Sequence, residues 1–168
     1  MFKKFKTLFF VKSSLISLYF ALTIPIPLIS SEKLKIISII TFVLGLILIT
    51  NITNDYVNIC DKKIFYKVSF ISKIFGKKDW EIYWKDIKLI KSLPTSQGSK
   101  IHYFITNKDE SFLVPQRIEN FEKFLSVVGE KTKLNIKELK YISPLWTYKL
   151  LTYLSVFMIV GEIIAFVI

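Results

Sequence analysis

The sequence has few of the residues on which many catalytic and metal sites depend. Among its 168 residues there is one cysteine, Cys60, and one histidine, His102. A single cysteine excludes an internal disulfide and any multi-cysteine metal site, and a single histidine excludes the usual histidine-pair metal sites. We therefore expect the chain to bind no metal and no cofactor.

Glycine and arginine are scarce as well. The five glycines are scattered along the chain, so the GxGxxG and GxxxxGK loops that bind nucleotide phosphates are absent. Arg117 is the only arginine. Because nucleic-acid surfaces usually combine arginine and lysine in one accessible patch, this composition does not favour a nucleic-acid partner.

Apolar residues are abundant and unevenly distributed. They make up 52% of the chain, with a mean hydropathy of +0.44, although the chain also holds 24 Lys and Arg against 13 Asp and Glu. Three apolar runs account for this combination: Ser13–Ser30, Leu34–Ile52 and Leu150–Ile168. At about 1.5 Å per residue, the first run would reach roughly 27 Å as a helix, close to the thickness of a bilayer core.

We interpret the three runs as transmembrane helices, the first two forming a hairpin. A cleaved signal peptide would also begin with basic residues, but Lys12 interrupts the apolar stretch and no small-x-small cleavage site follows it. Buried helices of a soluble domain are the other alternative. Such helices are normally amphipathic, whereas these runs are apolar on every face.

Lysine bias predicts the topology. Residues 51–149 hold eighteen Lys and Arg against eleven Asp and Glu, and four lysines precede the first run. The positive-inside rule then places the N-terminus and the middle region in the cytoplasm and Ile168 on the far side. We expect a multi-pass protein of the plasma membrane, or of the thylakoid membrane if the source is a cyanobacterium.

The middle region changes from a strand pattern to a helix pattern. Strands are predicted over 55–60, 64–75 and 80–93, and a hairpin over 100–107 and 111–115. Ile118, Phe121, Leu125 and Val128 then recur at helical spacing. This order indicates a small antiparallel sheet covered by one amphipathic helix, and hence a membrane protein of the α + β class.

Two segments of this region carry a family resemblance. The segment YWKDIKLIKSL, above all Trp84-Lys85-Asp86-Ile87, and the helix RIENFEKFLSVV resemble the bacterial pleckstrin-homology-like (PH-like) membrane proteins over roughly residues 13–135. The order of elements is also similar to that of a photosystem I assembly factor of cyanobacteria and plastids. The resemblance implies a PH-like half-barrel, and neither pattern contains the third apolar run.

Four segments follow from these patterns. Residues 1–53 are a basic flank with a two-helix transmembrane hairpin, and 54–135 are a cytoplasmic PH-like domain. Residues 136–149 are a linker, and 150–168 are a third transmembrane helix.

No residue of the middle region has the neighbours that catalysis requires. His102 is expected at the surface or rim of a strand, and Cys60 as a small buried hydrophobe. Two of the carboxylates Asp79, Glu81 and Asp86 could pair for acid–base chemistry, but the strand pattern places them on solvated faces. We therefore predict no catalytic residue.

Lysines form the candidate binding surface. Those selected are Lys62, Lys63, Lys77, Lys78, Lys85 and Lys88. Near a membrane each would attract anionic headgroups by about 1 kcal/mol, so lipid or partner binding is predicted. The alternative is that these lysines reflect only the positive-inside bias.

One acidic residue lies inside a predicted span. Glu162 follows Gly161 in the third run, and a carboxylate in lipid is costly unless it meets a partner or the interface. Glycine would permit close approach of a second helix. The pair is therefore expected either near the membrane interface, since Glu162 is six residues from Ile168, or in a helix contact with a membrane protein or a second copy of the chain.

These observations favour a non-enzymatic membrane protein. A tethered PH-like domain would bind lipid surfaces or proteins and help to assemble or regulate a membrane complex. The alternative is a membrane-embedded enzyme or an accessory subunit of a transporter.

Overall fold

The computed structural model describes residues 3–168, except for the side chain of Val167. Two compact units are present. The first, the sheet unit, comprises the chain up to Leu8 together with Asn54–Pro144. The second, the helix unit, comprises Phe9–Thr53 and Leu145–Ile168. The helix unit thus interrupts the sheet unit in the sequence.

The strands and helices alternate along the chain. The strands are β1 (Lys3–Lys6), β2 (Tyr56–Ile59), β3 (Lys63–Lys67), β4 (Trp80–Tyr83), β5 (Ile87–Pro94), β6 (Lys100–Thr106) and β7 (Ser111–Leu113). The helices are α1 (Phe9–Thr23), α2 (Pro25–Ile29), α3 (Glu32–Ile52), α4 (Phe70–Ile74), α5 (Phe121–Thr132) and α6 (Leu145–Val167). A 3-10 turn, Trp84–Asp86, joins β4 to β5.

The first sheet is a four-stranded antiparallel meander in the order β1-β2-β3-β4. Strand β1 was not predicted, because its residues were interpreted only as a basic flank. Phe5 lies opposite Val57 and both are buried, while Lys4 and Lys6 on either side of Phe5 are exposed. The alternation is that of a strand with one buried face, but its partner lies some fifty residues away.

The second sheet is antiparallel in the order β5-β6-β7 and contains the predicted hairpin. The prediction of one continuous strand over 80–93 is wrong, because the 3-10 turn divides it between the two sheets. At this turn the buried Trp84 donates its indole N–H to the carbonyl of Cys60 at 2.9 Å, and the N–H of Asn107 reaches the carbonyl of Asp86 at 2.9 Å. These tertiary bonds stabilise the change of direction.

The prediction of a strand over 64–75 is also wrong in its second half. Strand β3 ends at Lys67, and the short helix α4 follows. Ser69 caps α4 by accepting the N–H of Ser72 at 3.2 Å, and a cap of this kind favours a helical turn over an extended chain.

Helix α5 and both sheets share one core. The predicted apolar stripe Ile118, Phe121, Leu125 and Val128 is buried as expected, although Ile118 precedes the helix and bridges to Thr7. Phe5 of β1 meets Phe124 edge-on, with ring centroids 5.7 Å apart. The sheet unit is therefore an α + β layer, as the sequence predicted in coarse form.

The helix unit contains three helices or helix pairs long and apolar enough to cross a membrane. These are Phe9–Ile29, Glu32–Ile52 and Leu145–Phe166. The first and third start earlier than predicted, so that Lys12 lies within α1. Pro25 begins the short α2, a position at which proline's missing N–H costs no helical hydrogen bond.

Helix α1 packs against both α3 and α6. The hydroxyl of Tyr19 donates to the carbonyl of Phe42 at 2.6 Å, and the hydroxyls of Ser13 and Thr152 lie 3.4 Å apart. Gly45 leaves room for the Tyr19 ring, since a Cβ at this position would overlap it. Small and hydroxyl side chains thus bring these apolar helices close together.

Candidate functional site

In the first sheet, β1 ends and β2 begins at the same end of the sheet. Lys6 lies opposite Tyr56, and Tyr56 lies opposite Lys67, while Tyr66 lies opposite Trp80. At this end the chain leaves β1 for α1 and returns from α3 into β2. We call it the exit end. The opposite end, at which Ile59 pairs with Ile64, is the far end.

Residues 68–79, which we call the exit turn, lie at the exit end because they connect β3 to β4 there. The turn contains α4, and beyond this helix lies Gly76, whose φ of 84° is in the left-handed region that glycine adopts without strain. The N–H of Gly76 donates to the carbonyl of Lys73 at 3.0 Å. The turn is therefore a folded, hydrogen-bonded structure.

Asp55 stabilises the exit turn through hydrogen bonds and an ion pair. Its buried carboxylate accepts the hydroxyl of Tyr66 at 2.8 Å and the N–H of Ser69 at 2.9 Å. It also accepts the Ser72 hydroxyl at 3.3 Å and forms an ion pair with Lys77 at 3.1 Å. Burial and the neighbouring carboxylate raise the pKa of Tyr66, which keeps its phenol protonated as a donor.

Asp79 holds the same turn at its other end. One carboxylate oxygen accepts the N–H of Val68 at 2.9 Å, and the other meets Lys73 at 2.8 Å and Lys67 at 3.3 Å. The hydrogen bond from Lys73, followed by that from Val68, lowers the pKa of Asp79 to about 2. Asp79 is therefore ionised at neutral pH and joins both ends of the turn.

The exit turn displays three large apolar side chains. Phe70 is 73% exposed, Ile74 68% and Phe75 67%. Phe70 and Ile74, four residues apart, lie on one face of α4, and Phe75 follows the last residue of this helix. The exposed Lys73, Lys77 and Lys78 are their neighbours in the sequence. An exposed apolar cluster bordered by cations is typical of a contact surface.

The six predicted lysines do not lie together. Lys77 and Lys78 belong to the exit turn. Lys62 and Lys63 lie at the far end, and Lys85 joins them because the N–H of its neighbour Trp84 donates to the carbonyl of Lys62 at 3.1 Å. The two ends of such a four-residue strand are about 10 Å apart. Lys88 belongs to β5 in the second sheet.

Half of these lysines form ion pairs, namely Lys63 with Glu81 at 3.0 Å, Lys77 with Asp55 at 3.1 Å and Lys88 with Asp109 at 3.6 Å. The bond to Glu81 raises the pKa of Lys63. Within residues 3–168, Lys62, Lys78 and Lys85 form no ion pair. These three cations can therefore meet an external anion without losing a carboxylate partner.

Gly161 and Glu162 lie in α6, as predicted. A Cβ at Gly161 would meet no atom within 4 Å. The Oε2 atom of Glu162 is buried and has no hydrogen-bond partner among the described residues. The contact predicted for this pair, with another helix or another chain, stays a prediction.

His102 is not at the surface, and that prediction is wrong. Its side chain is 1% exposed within β6, and its Nδ1 lies 2.7 Å from the Ser92 hydroxyl on β5. Burial, with a smaller contribution from Lys100, lowers the pKa of His102, so the ring is neutral at pH 7. Cys60 is half-buried instead of fully buried.

A cleft of about 470 Å³ lies beside His102. It is lined by Gly98, Ser99, Lys100, His102, Lys137, Glu138, Lys140, Tyr141, Ile142 and Pro144. Lys100 and Glu138 form an exposed pair 3.8 Å apart across this lining. Within residues 3–168, no three His, Cys, Asp or Glu side chains converge in a way that could hold a metal ion.

The sequence contained a signal for the exit turn that strand propensity obscured. Ser69 is a good helix cap, Phe70 and Ile74 are four residues apart, and Gly76 is a stop signal. β-branched and aromatic residues favoured a strand instead. The role of Asp55 could not be found locally, since it bonds residues 11 to 22 positions away.

Comparison with known proteins gives one relative and no family. No family model matches the chain. The chain is similar to an uncharacterised protein of Synechocystis sp., with 26% identity over 163 residues that cover 94% of this chain and 81% of the relative. The similarity therefore extends over both the sheet unit and the helix unit.

Proposed function

We propose that the chain is a non-enzymatic integral membrane protein whose sheet unit is a PH-like domain held at the cytoplasmic face of the bilayer. This domain binds the lipid surface or a protein partner and serves the assembly or regulation of a membrane complex. The lysine bias of residues 51–149 supports the cytoplasmic placement.

The apolar helices support membrane integration. All three are long and apolar enough to span a membrane. In the middle one, Glu32–Ile52, no residue of the most apolar stretch is buried. In water such a surface would be strongly unfavourable, at about 25 cal/mol for each Å² of apolar area. Lipid removes that cost.

The strand order supports a PH-like domain. Antiparallel strands followed by one helix against their common core agree with the helix-closed half-barrel that the resemblance of YWKDIKLIKSL and RIENFEKFLSVV implies. In this proposal the transmembrane hairpin is an insertion between the first two strands of the domain.

The observation that carries the proposal is the pairing of β1 with β2. These neighbouring strands are separated in sequence by two apolar helices, so the sheet unit is attached at its exit end by two chain segments. If α1 and α3 lie in lipid, the domain cannot leave the bilayer surface. A site held in that way is suited to ligands that are themselves part of the membrane.

Co-purification of the full chain from native membranes in mild detergent tests this function. We expect another membrane protein to be recovered reproducibly and in fixed ratio with the wild-type chain. A matched pair of variants tests whether the far-end lysines take part: Lys85→Glu at the far end, and Lys91→Glu at an exposed position of β5 in the second sheet. Neither lysine forms an ion pair within residues 3–168. Loss of that protein only in Lys85→Glu would identify the far end as its contact.

Two outcomes would contradict the proposal. The first is repeated recovery of this chain alone. The second is loss of a cellular phenotype in His102→Ala, Asp86→Ala or Glu162→Ala at an unchanged protein level, because this would favour the alternative of a membrane enzyme.

A further inference from the structure

We infer that the exit turn inserts its apolar side chains into the interfacial layer of an anionic bilayer. The inserted residues are Phe70, Ile74 and Phe75, and the lysines beside them bind the lipid phosphates. This inference rests on the proposed function, since it assigns the bilayer as partner of the sheet unit. It also locates the contact at the exit end and away from the far-end lysines.

The exposure of the three side chains is maintained by the fold. Asp55 binds Ser69, Ser72 and Lys77 at the start and end of the turn. Asp79 binds the N–H of Val68 and the ammonium of Lys73. A segment fixed at so many points cannot turn its apolar residues inward without breaking charged hydrogen bonds, so they stay available to a partner.

The location of the turn brings it to the membrane. It follows β3 at the same end of the sheet at which β1 leaves for α1 and β2 starts after α3. Where two flanking segments enter lipid, the nearest loop of the domain lies next to the headgroups. Asp55, which fixes the turn, is only three residues beyond Ile52, the last residue of α3.

The chemistry of the turn matches an anionic interface. Aromatic and aliphatic side chains prefer the boundary between headgroups and acyl chains, and amphipathic segments bury their apolar face there to a depth of about 5–10 Å. Lys78 forms no ion pair within residues 3–168, and the side chains of Lys73 and Lys77 are about half exposed despite their ion pairs. Cations at this depth meet lipid phosphates.

The size of the apolar cluster favours lipid over a protein partner. Two phenylalanines and one isoleucine at these exposures offer roughly 400 Å² of surface, whereas a stable protein interface covers about 800 Å² on each partner. Membrane insertion needs no such area, because the spans already hold the domain at the surface.

Fluorescence of a labelled full chain in vesicles tests the inference. In a Cys60→Ser background, Ile74→Cys carries an environment-sensitive nitrobenzoxadiazole probe, and Ser96→Cys, in the exposed turn between β5 and β6, carries the same probe as control. The protein is reconstituted in vesicles of phosphatidylcholine and phosphatidylglycerol, with or without lipid that bears a nitroxide near its headgroup.

We expect the probe at residue 74 to emit at shorter wavelength than the probe at residue 96 and to lose most of its fluorescence to the nitroxide lipid. Water-like emission at both positions would overturn the inference. So would a blue-shifted probe at residue 74 that the nitroxide lipid does not quench, since a protein surface would then cover the turn.

Charge reversal tests the role of the lysines. Lys78→Glu and Lys62→Glu remove the same charge, one at the exit turn and one at the far end, and neither lysine has a carboxylate partner within residues 3–168. We expect Lys78→Glu to reduce quenching at residue 74 in phosphatidylglycerol vesicles and Lys62→Glu to leave it unchanged. Equal effects would overturn the assignment to the exit turn.

The two proposals can fail separately. If residue 74 is unquenched while the chain still resists alkaline extraction and retains its co-purifying protein, only the insertion is wrong. If alkali extracts the chain from membranes, the proposed function is wrong, whatever the probe reports.

Discussion

Asp55 lies three residues beyond the last residue of α3, and its carboxylate accepts hydrogen bonds from several donors at once. Asp55→Asn would keep the shape but remove the charge that Lys77 and the N–H of Ser69 share. Hydrogen bonds to charged groups contribute about 1.5–3 kcal/mol each, so we expect the exit turn to open. Limited digestion of the detergent-solubilised chain with trypsin should then cut faster after Lys73 and Lys77.

Glu81→Gln is the matched control for this change. It too replaces a carboxylate by an amide, but Glu81 is exposed, and within residues 3–168 its ion pair is with Lys63 alone. An exposed pair of this kind is screened by water and contributes little to stability. Equal cleavage rates in the two variants would show that Asp55 does not stabilise the turn.

The burial of His102 makes the stability of the folded chain depend on pH. Because burial lowers its pKa in the folded chain, the unfolded chain takes up a proton near 6.5 before the folded chain does. The stability that the neutral ring contributes is therefore present above pH 6.5 and is lost as the pH falls below it. Thermal unfolding, followed by tryptophan emission, should shift to lower temperature between pH 7.5 and 5.5.

His102→Gln separates this effect from other titrations. The amide cannot be protonated in this range and can still bond the Ser92 hydroxyl. We expect the pH dependence of the melting temperature to shrink in this variant. An unchanged dependence would mean that groups other than His102 determine the response between pH 7.5 and 5.5.

At the scale of elements, β1 shows why a local pattern was insufficient. The residues around Phe5 are lysines, and next to an apolar run this composition indicates topology. Only the pairing with β2 and the contact with Phe124 reveal a strand. The apolar runs, the hairpin of β6 and β7 and the stripe of α5 could be predicted, because each depends on periodicity within one segment.

Phe5→Ala and Phe9→Ala test this reassignment of the N-terminal segment. Phe5 is 5% exposed in the core of the sheet unit and Phe9 is 62% exposed in α1. Truncating a buried phenylalanine costs about 3–5 kcal/mol, so Phe5→Ala should lower the melting temperature clearly. Phe9→Ala should change it little. If both variants melt like the wild type, β1 is not part of the core.

The exit turn and the break at Trp84 were missed for a shared reason. In both places a hydrogen bond to a group elsewhere in the chain changes the local conformation. The carboxylate of Asp55 accepts the N–H of Ser69, and the carbonyl of Cys60 accepts the indole N–H of Trp84. Strand propensity reflects the residue types of a segment and takes no account of distant partners, so both predicted strands were too long.

At the scale of the whole molecule, the sequence alternates between two chemistries that belong largely to different units. The sheet unit contains most of the buried core and most of the charge, and the helix unit contains most of the exposed apolar surface. Because β1 and β2 flank the helical hairpin, the first sheet can be completed only after the whole hairpin segment has been synthesised.

Cysteine labelling tests the topology of the whole chain. The natural Cys60 is replaced by serine, which keeps the backbone carbonyl that Trp84 uses. Two exposed serines then become matched single cysteines: Ser31, before α3, and Ser96, between β5 and β6. With the sheet unit in the cytoplasm, a membrane-impermeant maleimide should label Ser31→Cys in intact cells and Ser96→Cys only after the membrane is opened.

Labelling at residues 31 and 96 distinguishes the possible topologies, because these residues lie on opposite sides of the membrane if α3 crosses it. Ser31 lies between two apolar helices and Ser96 beyond the second of them, so one crossing separates the two sites if α3 spans the bilayer. Labelling of Ser96→Cys alone in intact cells would reverse the topology that the lysine bias predicts. Labelling of both sites in intact cells would mean that α3 does not cross. The sheet unit would then not be held in the cytoplasm by the hairpin, and the lipid contact inferred for the exit turn would lose its basis.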